Sequence, residues 1–177
     1  MRHIAIDLGA QSSQLCIRDA GGEILEEAKI PTAQLGRRLK KLPPGRVVVE
    51  ACTQAFKVAD QARAAGHQVV VVPSVLSPTL GVGQRGIKTD QRDAQALSLA
   101  SCMVVKLPSV HVPDVLTRDL RSELTARSQL VKARKGFINS LRGIVRGRLV
   151  RPKSGSPDTF AERMRAALLE TPEGVPE

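Results

Sequence analysis

The chain has no tryptophan and no tyrosine, and its only phenylalanines are Phe56, Phe137 and Phe160. Proteins that hold single-stranded nucleic acid by stacking its bases on aromatic rings need more rings than this. The three histidines and three cysteines show no zinc-site spacing such as Cys-x-x-Cys. No apolar run approaches the roughly 18 residues that span a bilayer. These absences exclude a base-stacking platform, a zinc domain and a membrane-spanning protein.

Cysteine usage and the N-terminus indicate a reducing compartment. Cys16, Cys52 and Cys102 are odd in number and far apart. Cys16 and Cys52 occur in strand-like surroundings, where a free cysteine is usually a small buried hydrophobic residue. The opening sequence, MRHIAIDLGA, has an acid where a signal peptide would keep its apolar centre. We therefore expect a cytoplasmic protein with three reduced, structural cysteines.

The positive charge is concentrated in one segment. Of the net charge of +10, residues 1–113 contribute 14 basic against 9 acidic side chains. Residues 114–153 contain 11 basic and 3 acidic side chains, whereas the remainder has a net charge of −3. Such a dense basic segment is typical of a protein that binds a polyanion, most simply nucleic acid held through its phosphates. The alternative is a solvated helix face in a basic protein.

The order of apolar runs predicts an α/β fold. The first three strands are expected to form an antiparallel meander, because a Gly-Gly pair supplies a tight turn. The last two are wholly apolar, as in parallel strands that are buried on both faces. Helices are predicted over 32–42 and 53–66, capped by Thr32 and Thr53. The predicted strands are residues 2–9, 13–20, 23–30, 43–51 and 67–73.

A long helical stretch is predicted over about 114–150. Its apolar residues follow a seam with a period of about 3.5 residues, interrupted by Arg127 and Arg134. The seam consists of Leu120, Leu124, Val131, Ile138, Leu141 and Val145. Small residues, including Gly136 and Gly143, form a second stripe. Either they let another backbone come close, or the helix breaks there into a hairpin, and both alternatives stay open.

Two aspartates lie three residues apart in KTDQRDAQAL (88–97), where a helix is predicted to begin. In one interpretation Asp90 caps the helix and Asp93 occupies its first turn, where the helix dipole favours negative charge. In the other, both carboxylates share one helical face and bind a divalent cation. This stretch alone does not decide between the two.

Further acids stand at predicted strand ends. Asp7 ends the first strand, and Glu50 ends the strand expected to be its parallel neighbour. Ligands of open α/β sheets gather at the carboxyl ends of the strands, so a helix carrying Asp90 and Asp93 could close over this pair. Neighbouring carboxylates need a counter-charge, which Mg²⁺ or Mn²⁺ supplies while taking oxygen ligands. A pair of such ions suits phosphodiester chemistry.

The segments AIDLGAQSSQLCI, VVVEACTQAF, GHQVVVVPS and GIKTDQRDAQALS resemble, in order and spacing, the amino-terminal domain of DEDD transposases. These are the Piv-type DNA invertases and related insertion-sequence transposases, described as bridge-RNA-guided recombinases. The resemblance covers residues 2–150 and implies a RuvC-like, ribonuclease-H-type mixed sheet followed by a long basic helical region. It implies Mg²⁺ or Mn²⁺ at the site of DNA strand cleavage and exchange, bound by Asp7, Glu50, Asp90 and Asp93.

The same resemblance implies three partners: DNA, a guide RNA and a second copy of the chain bound through the long helix. Lys88 and Arg92 flank the acids and would reach phosphates, with surface ion pairing as the alternative. The basic residues of the long helix that would contact nucleic acid are Arg127, Lys132, Arg134, Lys135, Arg142 and Arg146.

The sequence departs from the family in two places. Ala-Cys-Thr at 51–53 follows Glu50 where the family has Ala-Thr-Gly, and Phe56 takes the role of the family's aromatic residue. The family also continues into a second domain that carries the serine that attacks DNA. The chain is therefore expected to be incomplete, and neither Ser154 nor Ser156 is assigned as that nucleophile.

Three parts are expected: a catalytic domain over 1–106, a long helix or helical hairpin over 107–150, and the start of a missing domain over 151–177. Two other functions remain as alternatives. One is a non-catalytic remnant that binds nucleic acid. The other is a phosphotransferase of the actin–hexokinase type, since IDLGAQSS resembles a phosphate-binding hairpin, although a second glycine-rich phosphate segment is lacking.

Overall fold

A computed structural model describes residues 1–81 and 89–170. The chain divides into two compact units, Met1–Pro113 and Asp114–Glu177. The strands are β1 (Arg2–Asp7), β2 (Ser12–Arg18), β3 (Ile24–Pro31), β4 (Gly45–Glu50) and β5 (Gln68–Val72). The helices are α1 (Leu35–Lys40), α2 (Ala55–Ala64), α3 (Asp90–Met103), α4 (Val115–Arg146) and α5 (Phe160–Leu169). Short 3₁₀ turns occupy Thr32–Gln34, Ser74–Leu80 and Pro157–Thr159.

The first unit is built on one mixed sheet with the strand order β3-β2-β1-β4-β5. β1 pairs with β2, and β2 with β3, in antiparallel fashion. β1 pairs with β4, and β4 with β5, in parallel. The prediction of an α/β fold with an antiparallel meander that continues into parallel strands is confirmed.

The sheet separates two apolar layers, because successive strand residues point to opposite faces. On one face, α1 and α2 cover Ile4, Ile6 and the corresponding valines of β4. On the other face, α3 contributes Leu97, which packs in one cluster with Ala5 and Val48. By the same alternation, the strand-end residues Asp7 and Glu50 point to the α3 face.

Both edge strands of the sheet have features that hinder pairing with a further strand. Next to β5, the backbone N–H of Val110 donates to the carbonyl of Val71 at 2.8 Å, and Val110 and Val112 pack against the core. The segment after α3 therefore covers part of the β5 edge. The opposite edge strand, β3, contains the charged run Glu26-Glu27 and ends at Pro31.

Two predicted helix caps are wrong. Thr32 begins a 3₁₀ turn, and its hydroxyl donates to the carbonyl of Gly9 at 2.8 Å, so α1 begins later, after Gln34. The N-cap of α2 is Gln54, without a side-chain cap, because the chain still turns at Thr53. In both places a tertiary contact or turn displaces the cap that local sequence favours.

The cysteine predictions are partly confirmed. Cys16 is fully buried in β2, whereas Cys52 is exposed because it lies in the turn that follows β4 rather than in the strand. Cys102 is half-buried, and all three cysteines are free thiols.

The long helix α4 is continuous through Gly136 and Gly143, and a Cβ at either position would meet nothing within 4 Å. The hairpin alternative is not adopted. The N-cap of α4 is Asp114, whose carboxylate accepts hydrogen bonds from the backbone N–H and the hydroxyl of Thr117. These two bonds lower the pKa of the Asp114 carboxyl. Within the described residues, no helix is long and apolar enough to span a membrane.

The helix α4 ends in a Schellman motif in which a leucine, Leu149, occupies the position that usually holds glycine. The N–H of Val150 donates to the carbonyl of Val145, and that of Leu149 to the carbonyl of Arg146. Val145 and Val150 also share an apolar cluster with Phe160 of α5. Leu149 has φ 61°, the left-handed conformation that usually belongs to glycine at this position, so the turn is strained.

We expect Leu149→Gly to raise the free energy of unfolding by about 0.5–1 kcal/mol, since left-handed strain of about 1–2 kcal/mol is relieved and part is lost to the entropy of glycine. The leucine side chain is 92% exposed, so little packing is lost. Urea denaturation would measure the gain, and Leu149→Ala, which keeps the Cβ, should show none. Equal stability of the two variants would contradict the prediction.

Candidate active site

Two of the predicted acids stand side by side at one edge of the sheet. β1 and β4 run in parallel with Ile6 opposite Val49, so the next residues, Asp7 and Glu50, are neighbours at the carboxyl ends of the two strands. Both are half-buried. By strand alternation they point to the same face as Ala5 and Val48, which is the face that α3 covers.

The direction of α3 is set by contacts at its C-terminal end. One guanidinium nitrogen of Arg46 donates to the carbonyls of Ser101 and Val104, at 3.2 and 3.0 Å. The hydroxyl of Ser101 is 2.8 Å from Nδ1 of His3. His3 and Arg46 lie at the amino-terminal ends of β1 and β4. The C-terminus of α3 is therefore at that end, and its N-terminus points towards the strand ends that bear Asp7 and Glu50.

Asp93 consequently lies towards the same end of the sheet as the strand-end acids. Leu97 packs with Ala5 in mid-sheet. Asp7 lies two residues farther along β1, and Asp93 lies four residues earlier on α3, each a step of about 6–7 Å in the same direction. Asp93 is on the buried face of the helix and is only 3% exposed. Two strand ends and one helical turn thus bring three carboxylates to the same end of one layer.

The fourth acid, Asp90, is exposed in the first turn of α3. The N-cap is Thr89, whose hydroxyl accepts the backbone N–H of Arg92 at 3.3 Å, so the interpretation of Asp90 as the cap is wrong. Arg92 is exposed beside it, and Lys88 lies outside the described residues.

The turn after Asp7 is tightly constrained. A Cβ on Gly9 would clash with the backbone carbonyl of Ser12, so this position requires glycine. Thr32 bonds both to the carbonyl of Gly9 and to the hydroxyl of Ser13, each at 2.8 Å. These contacts fix the hairpin that carries Asp7.

The chemistry of this donor set fits a hard divalent cation, since carboxylate oxygens are the ligands that Mg²⁺ and Mn²⁺ prefer. In residues 1–81 and 89–170, however, no three His, Cys, Asp or Glu side chains are placed so that they could hold a metal ion together. A single metal site formed by Asp7, Glu50, Asp90 and Asp93 stays a prediction.

At the other end of α3, His3 is buried, and its pKa is lowered below the ordinary value of 6.5, first by burial and then by the charge of Arg46. The unfolded chain therefore binds this proton more readily than the folded one. We expect the contribution of His3 to stability to be constant above about pH 6.5 and to fall as the pH drops from there to its folded pKa. Urea denaturation of the parent and of His3→Gln between about pH 7.5 and 5 would measure it; identical pH profiles would contradict it.

All six basic residues predicted on the long helix are exposed on α4. They do not share one face. Arg134 pairs with Asp158 at 3.3 Å, and Arg127 lies on the same line as Arg134. The other four belong to a polar stripe that repeats in steps of three and four residues. This basic stripe consists of Arg118, Arg121, Thr125, Ser128, Lys132, Lys135, Asn139, Arg142 and Arg146.

The basic stripe contains no acid and no apolar residue, and it follows about 42 Å of α4 at about 1.5 Å per residue. Arg118 and Arg121 were missed in the sequence prediction, although the alternating spacing of three and four was available to find them. The stripe is the strongest concentration of one charge sign along the helix.

A family comparison identifies the class of protein. Residues 4–148 match the model of the DEDD transposase family of the IS110 type, described as "Transposase". The chain belongs to this family.

Individual relatives agree with that assignment. The chain is 29% identical over 176 residues to a probable family 20 transposase of Pseudomonas aeruginosa, covering 97% of this chain and 48% of that protein. It is 27% identical to the transposase for insertion sequence element IS1111A of Coxiella burnetii, covering 80% of this chain and 38% of that protein. The chain thus spans about half or less of the length of these relatives.

The structure of Thermus thermophilus RuvC is similar over 61% of this chain and 99% of its own, with a TM-score of 0.43 and 16% identity.

Proposed function

We propose that this chain is the acidic, metal-binding part of a transposase that cleaves and exchanges DNA strands. The observation that supports this proposal is the placement of Asp7, Glu50 and the buried Asp93 at one end of the layer between the sheet and α3. Carboxylate oxygens are the ligands that Mg²⁺ and Mn²⁺ prefer. In a transposase, this arrangement suits a divalent ion at the scissile phosphodiester.

In the proposed site, Asp7, Glu50 and Asp93 would hold Mg²⁺ or Mn²⁺, and Asp90 would bind from the exposed first turn of α3. Such an ion would supply charge stabilisation of the reacting phosphodiester and activation of the attacking oxygen. The Gly9 turn fixes the hairpin that carries Asp7, and Asp93 lies on a helix that is fixed at its far end. Arg92, together with Lys88, would contact the neighbouring phosphates.

The basic stripe of α4 would contact the phosphates of DNA and of a guide RNA. The apolar residues on the remaining part of α4, such as Leu120 and Leu124, are 51% and 65% exposed, which supports a second copy of the chain as a partner of this helix. We propose that the chain acts in the cytoplasm, where a transposase would meet its DNA.

A Mn²⁺ titration of the purified chain by calorimetry, with and without a short branched DNA duplex, tests the proposal. We expect binding that DNA strengthens, because a phosphodiester adds oxygen ligands and the carboxylates then share the ion with it. Absence of Mn²⁺ binding in both conditions would refute the catalytic proposal.

A second candidate is a nucleic-acid-binding protein without catalysis. It is favoured by the exposed basic stripe, which would bind phosphates without a metal ion. The same titration separates the two, because DNA binding by a non-catalytic protein would be sensitive to salt and indifferent to Mn²⁺. The family membership argues against the phosphotransferase alternative.

A further inference from the structure

We propose that Arg142, Arg146 and Arg151 form a phosphate-binding pocket at the C-terminal end of α4, which holds the backbone of a nucleic-acid strand that runs along the basic stripe. The inference deepens the proposed nucleic-acid binding and rests on it, but it is independent of the metal site. All residues that form the pocket lie in the second unit of the chain.

The pocket is an open cavity of about 490 Å³. Its polar lining consists of the three arginines and Ser154, and its remaining lining residues are Val150 and Pro152. Arg142 and Arg146 are four residues apart and therefore on the same face of α4. Arg151 and Ser154 come from the segment that follows the helix. No acid lines the cavity.

The strained turn at Leu149 brings the third arginine to the other two. The Schellman bonds from Leu149 and Val150 reverse the chain immediately after Arg146, and the apolar contact of Val150 with Val145 fixes the reversal. Left-handed strain at a residue other than glycine is often retained where it serves a site. Here it places Arg151 beside the pair on the helix.

The three guanidinium groups have no ion-pair partner within the described residues, in contrast to Arg134, which pairs with Asp158. The dipole of α4 favours cations near its C-terminus, which is a sufficient reason for Arg142 and Arg146 alone. It does not account for Arg151, which lies beyond the helix. Arg142 is further oriented by Phe160, whose ring centre is 5.4 Å from the guanidinium carbon.

Phosphate is the anion that fits this lining best. The planar guanidinium donates two parallel hydrogen bonds to phosphate oxygens, and Ser154 adds a hydroxyl donor. The pocket is also continuous with the basic stripe, since Arg142 and Arg146 are the last two residues of that stripe. Binding of a small free anion would explain the pocket but not the basic stripe. A nucleic-acid strand, which carries a series of phosphates, explains both the pocket and the stripe.

Arg151→Gln tests the pocket, with Arg148→Gln as the matched control, because Arg148 is exposed in the same turn but does not line the cavity. We expect Arg151→Gln to weaken the binding of a fluorescein-labelled single strand of about 20 nucleotides about 10-fold, the loss of one charge-assisted bond. The slope of log K against log salt should fall by about one. Arg148→Gln should change affinity by less than about twofold, since an exposed charge away from the strand contributes little.

The strand is tested as DNA and as RNA of the same sequence, and inorganic phosphate and vesicles with anionic phospholipid are tested separately. Loss confined to one nucleic acid identifies the bound strand, and loss with both assigns the pocket to the shared backbone. Equal losses in Arg151→Gln and Arg148→Gln would overturn the pocket, as would dependence on Arg151 only for phosphate or vesicles. Mn²⁺ binding should be unchanged in Arg151→Gln, so failure of the metal site and failure of the pocket give different results.

Discussion

Asp93→Asn is expected to weaken Mn²⁺ binding by at least about 100-fold, the upper end of the losses seen for residues that only support a ligand. The substitution keeps the shape of the side chain and removes its charge, at a position that is 3% exposed between α3 and the strand ends. Asp7→Asn should show a similar loss, because Asp7 lies below the same turn. Calorimetric titration in the presence of branched DNA measures both affinities.

Asp60→Asn is the matched control for this experiment, because α2 packs on the opposite face of the sheet and the same charge is removed there. Its Mn²⁺ affinity should equal that of the parent chain. Asp90→Asn should fall between the two, since Asp90 is exposed and less constrained. If Asp7→Asn and Asp93→Asn bind Mn²⁺ as the parent does, the acids have a structural role and the non-catalytic function is the better one.

Arg46→Ala is expected to lower the free energy of unfolding by about 3 kcal/mol, because two charge-assisted hydrogen bonds of about 1.5 kcal/mol or more are lost. The side chain is 8% exposed, so water does not readily replace the guanidinium. Urea denaturation measures the loss. Loosening of α3 should also weaken Mn²⁺ binding, although Arg46 is at the opposite end of the helix from Asp93.

Two variants make the Arg46 result specific. Arg46→Lys keeps the charge and an N–H donor group but loses the planar guanidinium, and should recover part of the stability. Arg37→Ala removes an exposed arginine from α1 and should change stability by no more than about 0.5 kcal/mol. In Arg46→Ala the pKa of His3 should rise towards its ordinary value, because burial then lowers it without the added charge of Arg46. A stability loss equal to that of Arg37→Ala would contradict the role of Arg46.

The sheet was predictable because its strands carry their own signals. Alternating or wholly apolar runs and a Gly-Gly turn indicated the meander and the parallel neighbour of β1, and hence that Asp7 and Glu50 end adjacent strands. Helix caps were less predictable. The Thr32 hydroxyl could bond to the helix backbone or elsewhere, and it donates to the carbonyl of Gly9, which is distant in sequence.

The elements that carry the candidate acids were predictable, but the orientation of these elements was not. The spacing of Asp90 and Asp93 predicted that both lie at the start of a helix and left open whether Asp90 is its cap. It did not show which way the helix runs across the sheet, which depends on contacts of Arg46 and His3 with Ser101. The arginine pocket was not predictable either, because no sequence pattern indicates that the backbone of Leu149 adopts the left-handed conformation.

The treatment of the two sheet edges restricts how copies of this chain can associate. A strand whose backbone groups are free invites another strand, which leads to domain swapping or fibrils. Here the Val110 bond occupies part of one edge, and charges with a terminal proline disfavour addition at the other. Sheet extension is thus a poor route to assembly. Any association between copies is therefore expected at surfaces other than the two sheet edges.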